Sequence, residues 1–475
     1  MDMEKTWFVK NGISKGAVAD MLKKAQESGI SVHGLEIFRG DECLVRLAPP
    51  PYEPTDKRQL YSLSKSFCST AFGFCVTDGL ISLDTRVLDV FPDKAPAIVT
   101  PWLDKMTFRH VISMNAGFER CTFPEVKFSD DGVKTFLSLA QKYEPGTHFV
   151  YNTAATYVVG AAVERLTGER LMDFLQRRFF TPAGITGNRW HTTADGIAEG
   201  GCGLHASVDD IAALGRLYLG KGVYEGKRYL SEKWVSDASS FISDNSMNGS
   251  PDWCAGYGCQ FWRNAREGFR GDGACGQLCV VLPESNMVIA QVAEGFDMQK
   301  EMDLLFEMKD RLFDADTVTD AAFSAFLSSM YTEFTSPDRA LPHEGETYVC
   351  EENVQGITQF SLCKENGKLS FTFCNGERVQ SITAGCGEWV DNRFRGKYMR
   401  PTLKMLCDGK EDDIRAAACY RITETGVELI LRNRLCPHFM KYLFTLENDT
   451  VSLRFEAFAD FTIEETKPII GRIRG

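Results

Sequence analysis

The tetrapeptide Ser62-Leu63-Ser64-Lys65 sets a hydroxyl and an amine three residues apart. In a helix, residues at that spacing share a face, with Cβ atoms about 5–6 Å apart. A free serine hydroxyl is a weak nucleophile and needs an adjacent base. A neighbouring lysine amine can accept its proton or tune another base. The stretch Ser62 to Thr77 has a helical composition and stops at Asp78-Gly79, so the pair is predicted at a helix N-terminus. Free N–H groups and partial positive charge there favour a developing oxyanion. The chemistry implied is acyl transfer through a serine ester.

A second S-x-x-K, Ser361-Leu362-Cys363-Lys364, lies in an alternating strand pattern. Residues three apart in a strand face opposite sides of the sheet, so this copy is read as structural. Gly12-Ile13-Ser14-Lys15-Gly16 matches G-x-S-x-G. A nucleophile elbow needs a core strand before it and an oxyanion loop upstream, so Ser14 is read instead as a helix N-cap. Tyr151 follows the turn Glu144-Pro145-Gly146-Thr147. An isolated tyrosine, with a pKa of about 10, is a poor base, but a nearby ammonium favours its phenolate. Gly271-Asp272-Gly273-Ala274-Cys275-Gly276-Gln277 leads into an apolar strand. Glycines let a substrate approach the backbone, and an N–H there is a candidate second oxyanion donor opposite that of Ser62.

The elements that must hold these groups are legible in outline. Gly16 to Ser28 reads as an amphipathic helix, and Val32 to Leu47 as a hairpin turning at Arg39-Gly40-Asp41. Thr107–Met114 and Ala154–Leu166 read as helices, Met287–Ala293 as a buried strand, and Asp314–Phe334 as a helix. From about Glu346 onward the pattern becomes short alternating strands, with turns such as Glu365-Asn366-Gly367 and Cys374-Asn375-Gly376. Two domains are expected, 1–325 and a β-rich 340–475.

With 475 residues, 44% of them hydrophobic and 25% charged, the chain can bury a full core. A net charge of -12 disfavours nucleic acid and anionic membrane as partners. Sixteen cysteines without a C-x-x-C pair, and seven dispersed histidines, predict buried thiols and neither metal nor cofactor. No run is long or apolar enough for a transmembrane span, and the N-terminus carries no signal-peptide pattern. A cytoplasmic protein of unknown oligomeric state is expected.

Taken together, these motifs resemble the class C β-lactamase and penicillin-binding-protein-like serine hydrolases. The resemblance extends to Gly79-Leu80-Ile81-Ser82-Leu83-Asp84, to Arg109 through Gly117, to Gly203 through Asp210, and to Trp234. Order and spacing hold from about residue 30 to 315. It implies an α/β (α+β) fold, with an antiparallel sheet flanked by helices and an all-helical subdomain, here followed by the antiparallel β-rich domain. It further implies Ser62 as acylated nucleophile, Lys65 as motif lysine, Tyr151 as proton carrier, and Ala274 completing the oxyanion hole with Ser62. Asn152, Thr153, Gly273 and Tyr257 are expected to bind substrate. Trp253, Phe118 and His205 lie in segments near the site in relatives.

Two positions depart from the family pattern. Thr153 stands where the tyrosine motif usually has Asn or Ser, and Gly271-Asp272-Gly273 where Lys-x-Gly or His-x-Gly is usual. No cation is thereby offered to a substrate carboxylate. The expected activity is hydrolysis of small esters or amides. A β-lactamase or D-amino-acid peptidase, and a non-catalytic ligand-binding protein on the same scaffold, are the alternatives.

Overall fold

The amphipathic stretch after Ser14 folds as the helix Lys15–Glu27, and the Ser14 side chain caps it by accepting from the Ala17 amide at 3.2 Å. The computed structural model describes residues 7–330, 340–341, 343–376, 378–396, 412–459 and 462–473. The chain divides into two units, Met1–Leu47 with Pro54–Thr317, and Ala48–Glu53 with Val318–Gly475.

The first unit is built on a seven-stranded antiparallel sheet. Its order is Trp7–Val9, Glu42–Leu47, Ser31–Arg39, Met287–Glu294, Gln277–Leu282, Phe269–Gly273 and Trp262–Arg263. The N-terminal hairpin and the late strands meet at the centre, where Ile37 pairs with Ile289. Such a sheet closes only after residues far apart in sequence have met. Helices Lys15–Glu27 and Met298–Arg311 pack on each other, and Val208–Leu219 lies against the central strands. A helical region holds Ser64–Thr77 against Thr153–Thr167, with Phe108–Ile112, Gly132–Ser138 and Leu171–Leu175 packed on the latter. Helix Ser64–Thr77 is buried on all sides from Ser64 to Cys75, and its polar residues Ser66, Ser69 and Thr70 are hydrogen-bonded inside the core.

Three expected helices differ in extent. The Ser62 segment begins as a 3-10 turn, Tyr61–Leu63, before the α-helix starts at Ser64. The helix expected at Thr107–Met114 spans only Phe108–Ile112, and Met114 has a left-handed φ of 63° just beyond it. The helix expected at Asp314–Phe334 runs from Asp320 to Ser329. Its start is delayed because Thr319 caps it, accepting from Ala322 N at 3.2 Å. Asp316 meanwhile accepts from the Lys15 and Gly16 amides. Residues 331–334 of that expected helix lie outside the described residues.

The second unit is a closed antiparallel barrel. From Arg378–Cys386 the strand order runs through Lys368–Asn375, Ile357–Glu365, Thr347–Cys350, Ile469–Ile473, Thr450–Ala459, Phe439–Glu447 and Gly426–Asn433 to Asp412–Ile422. A short parallel pairing, Gly385 with Cys419 and Cys386 with Tyr420, closes it. Alternation sends Leu369, Phe371 and Phe373 inward, where Phe371 packs 4.9 Å from Phe444 and 5.2 Å from Tyr442 between ring centroids. Asn366 and Gly367, with φ of 51° and 77°, make the left-handed turn that the Asn-Gly signal announces. The second S-x-x-K lies on strand Ile357–Glu365, with Ser361 opposite Thr372 and Lys364 opposite Leu369.

Candidate active site

The 3-10 turn Tyr61–Leu63 lifts Ser62 half out of the core, while Lys65, in the first turn of the following helix, is sealed at 1% exposure. Lys65 Nζ lies 3.2 Å from Ser62 Oγ, 3.1 Å from Thr153 Oγ1 and 2.7 Å from the Gly201 carbonyl oxygen. The amine is thus held by its own turn and by two segments distant in sequence. Thr153, the first residue of helix Thr153–Thr167, performs as an acceptor what its hydroxyl allows. Gly201 allows no side chain, since a Cβ there would stand 2.7 Å from Thr153 Cγ2 and 3.3 Å from Lys65 Nζ.

Tyr151 comes in over the lysine, its ring centroid 4.7 Å from Nζ. The phenol ring stacks on Trp262 at 5.3 Å and meets Tyr257 edge-on at 6.2 Å. Tyr257 is itself edge-on to Trp262 at 4.8 Å. Trp262 and Tyr257 together therefore fix the ring plane of Tyr151.

Strand Phe269–Gly273 closes the opposite side. A Cβ on Gly273 would meet Leu60 O at 2.0 Å and Leu63 N at 2.9 Å, so the strand end lies directly on the backbone that carries Ser62. Ala274 follows, half-buried. The turn after it is held by Gln277, whose Nε2 donates to the carbonyls of Ala274, Cys275 and Ala293 at 3.2, 3.1 and 2.7 Å. Asp272 is 7% exposed and pairs with Arg270, from Nε at 3.1 Å and Nη2 at 3.0 Å. The Arg270 guanidinium lies 4.1 Å over the Trp253 ring and donates to the Asp252 carbonyl and Asn264 Oδ1. A cation does stand beside this motif, but it is fully buried and committed to Asp272.

Burial dominates the electrostatics. It lowers the Lys65 amine to about 8, opposed by the thiols of Cys202, Cys121 and Cys68 and by Asp272. Burial raises the Tyr151 phenol above its ordinary value, and Asp272 raises it further, while the Ser62 hydroxyl opposes the rise. Burial also raises Asp272, against Arg270, Lys65 and Trp262. Near neutral pH, the amine is closer than the phenol to losing its proton.

The structure thus brings Ser62, Lys65, Tyr151, Thr153, Gly273 and Tyr257 together, with Ala274 beside them. Asn152 is elsewhere engaged. Its Oδ1 accepts from the Ala154 and Thr122 amides at 3.0 Å each, and its Nδ2 donates to Thr122 Oγ1 at 3.1 Å. It caps a helix and ties down the Cys121-Thr122 segment. His205 pairs with His191 at 3.1 Å, Phe118 packs on Phe136, and Trp253 covers Arg270. Sequence reasoning missed Gly201, Trp262 and Arg270. A Glu-Gly-Gly-Cys-Gly run from Glu199 to Gly203 was the available signal for the first, and Arg270 stands next to the glycine motif.

Residues 21–308 match the family described as Beta-lactamase. The 6-aminohexanoate-dimer hydrolase of Paenarthrobacter ureafaciens is 26% identical over 284 residues, 55% of this chain and 72% of that protein. Lovastatin esterase of Penicillium rubens is 26% identical over 208 residues, 38% of this chain and 51% of that protein, so the match spans about half of that relative. A penicillin-binding protein homologue from Caulobacter crescentus shares the fold, with a TM-score of 0.52 at 16% identity over 63% of this chain and 98% of that one. The family match takes in the central strands, both site helices and the strand of Asp272, and with it the chain belongs to the β-lactamase family of hydrolases.

Proposed function

We propose that the protein is a serine acyl hydrolase of small esters or amides, with Ser62 as nucleophile and Lys65 and Tyr151 moving its protons. The observation that carries this reading is the arrangement of acceptors around Lys65. A neutral amine has two N–H donors and one lone pair. In that form two N–H groups donate to Gly201 O and Thr153 Oγ1, which leaves the lone pair for the Ser62 hydroxyl, whose Oγ lies 3.2 Å away. As Ser62 Oγ attacks the substrate carbonyl, its proton passes to Lys65. The backbone N–H groups of Ser62 and Ala274 receive the oxyanion. The protonated Tyr151 phenol passes a proton to the leaving alcohol or amine and is resupplied from Lys65. Water then attacks the Ser62 ester, giving its proton back through the same pair and releasing the acid.

Asp272 supports uncharged acyl groups over carboxylates, because Arg270, the cation beside it on the glycine strand, is spent on it. The same feature argues against β-lactams and peptide C-termini. An esterase name among the relatives supports the ester reading, and the dimer hydrolase name supports hydrolysis more broadly. Among the described residues no helix is long and apolar enough to cross a membrane. Fifteen cysteines among them are free thiols, which supports a reducing compartment.

Fluorophosphonate treatment followed by peptide mass spectrometry tests the nucleophile. A single adduct on Ser62, absent in Ser62→Ala together with p-nitrophenyl ester hydrolysis, is expected. Folded protein without an adduct overturns the reading.

A further inference from the structure

Gly201, whose carbonyl receives Lys65, belongs to no regular element. It lies in the loop Glu199–Gly203, between the Ala198 bridge and strand Leu204–Ala206. Something else must keep that carbonyl 2.7 Å from the amine. Glu199 is 0% exposed, and its carboxylate meets the Lys127 amine, 4% exposed by side chain, at 2.9 Å. The other carboxylate oxygen accepts from the Cys202 thiol at 2.9 Å. The Glu199 backbone carbonyl accepts from the Gly201 amide at 2.6 Å, and its amide donates to His191 O. One side chain thus gathers the residues on both sides of Gly201. Lys127 ends the helix Phe123–Lys127, and its own carbonyl accepts from Ala194 N.

A buried ion pair is seldom the cheapest way to hold a loop. Desolvating two charges is costly, and packed apolar side chains often serve as well or better. Its advantage is directional, since charge and hydrogen-bond geometry fix the loop's rotation as well as its position. We infer that the Lys127–Glu199 pair is a positioning device for Lys65, orienting the 199–203 loop so that Gly201 presents its carbonyl to the amine. This rests on the reading of Lys65 as the base for Ser62. Neither Lys127 nor Glu199 touches the reacting atoms.

The consequence is read at Lys65. An acceptor carbonyl favours the ammonium over the amine, so loosening the loop releases the proton more easily while misplacing the lone pair. The other groups facing Lys65 are Ser62, Thr153, Tyr151, Asp272, Cys202, Cys121 and Cys68, and all remain in the variants.

The test compares wild type with Glu199→Gln and with the double variant Lys127→Met/Glu199→Leu. The double variant leaves no buried charge unpaired and so guards against simple unfolding. The first measurement is the NMR titration of the Lys65 13Cε resonance, assigned through Lys65→Arg. The second is the pH dependence of Ser62 labelling by a fluorophosphonate. In folded variants, the Lys65 midpoint and the acidic limb of labelling are expected to move to lower pH, and the plateau rate to fall by roughly tenfold or more. A folded double variant with an unmoved Lys65 midpoint overturns the proposal, whatever its melting temperature. A Lys65 midpoint that moves in the variants, with no Ser62 adduct on wild type, sinks the nucleophile reading and leaves the positioning role standing.

Discussion

In the proposed mechanism Lys65 takes the Ser62 proton, and its environment makes a pH prediction. Burial lowers its amine to about 8, so the neutral form needed to accept the Ser62 proton gains as pH rises through that value. Labelling of Ser62 is therefore expected to increase from pH 6 to 9 with a limb near pH 8. A flat profile over that range would show that Lys65 is not the limiting base. Asp272 makes a second prediction at this scale. An ester whose acyl chain ends in a carboxylate should be hydrolysed at least roughly tenfold more slowly, in kcat/KM, than its methyl-capped counterpart, about 1.4 kcal/mol. Asp272→Asn should narrow that ratio. Because it leaves Arg270 buried without its partner, it should also lower the melting temperature. Equal rates for the matched esters in wild type would remove Asp272 as a selector.

At the scale of elements, the turn Ala274–Gly276 depends on a side chain outside it. Cys275 and Gly276 have left-handed φ values of 66° and 87°, and Gln277 Nε2 holds the carbonyls on either side of the bend. Gln277→Leu keeps the volume and removes the donors. It is expected to cost about 1–3 kcal/mol of stability by leaving buried carbonyls unsatisfied. If the Ala274 N–H receives the oxyanion as proposed, the change should also lower kcat roughly 10- to 100-fold with little change in KM, since that donor would act on the oxyanion and not on ground-state substrate. Chemical denaturation and steady-state kinetics on the same preparation separate the two effects. A loss of stability with unchanged kcat would confine Gln277 to a structural role. The strand beside this turn was legible as a glycine motif, since Gly273 must lie on the Leu60–Leu63 backbone. The donor that holds the turn was not, because a glutamine at a strand start has many uses and only burial selects this one.

At the scale of the whole molecule, the first unit buries an acid against the central strand of its sheet. Glu301, on helix Met298–Arg311, accepts from Gln291 Nε2 at 2.8 Å and is raised to about 8, chiefly by burial. The folded state then keeps a proton that the unfolded chain loses near pH 4.5, so between those values the unfolded state binds fewer protons. Stability contributed by this group is full at low pH and declines as pH rises toward 8. Glu301→Gln is expected to flatten the fall in melting temperature between pH 5 and 8. A variant with the same slope as wild type would mean that other groups set it.

What the sequence determined by itself was local. Ser62 and Lys65 are one helical turn apart, so their proximity follows from chain geometry alone, and the barrel strands follow from strict alternation around residues such as Leu369, Phe371 and Phe373. Even the Asn366-Gly367 turn is a matter of two adjacent backbone angles. Tertiary structure decided whatever joins distant segments. Thr153 and Gly201 reach Lys65 across 88 and 136 residues. Trp262 orients Tyr151, Lys127 finds Glu199, and Arg270 turns out to be spent on Asp272. Asn152 is withdrawn to a cap for the same reason: its neighbour Thr122 comes from another loop. Hydrophobic periodicity specifies which face of an element is buried, but not which polar group it will meet there. That partner is selected only when desolvation leaves each buried donor and charge needing one.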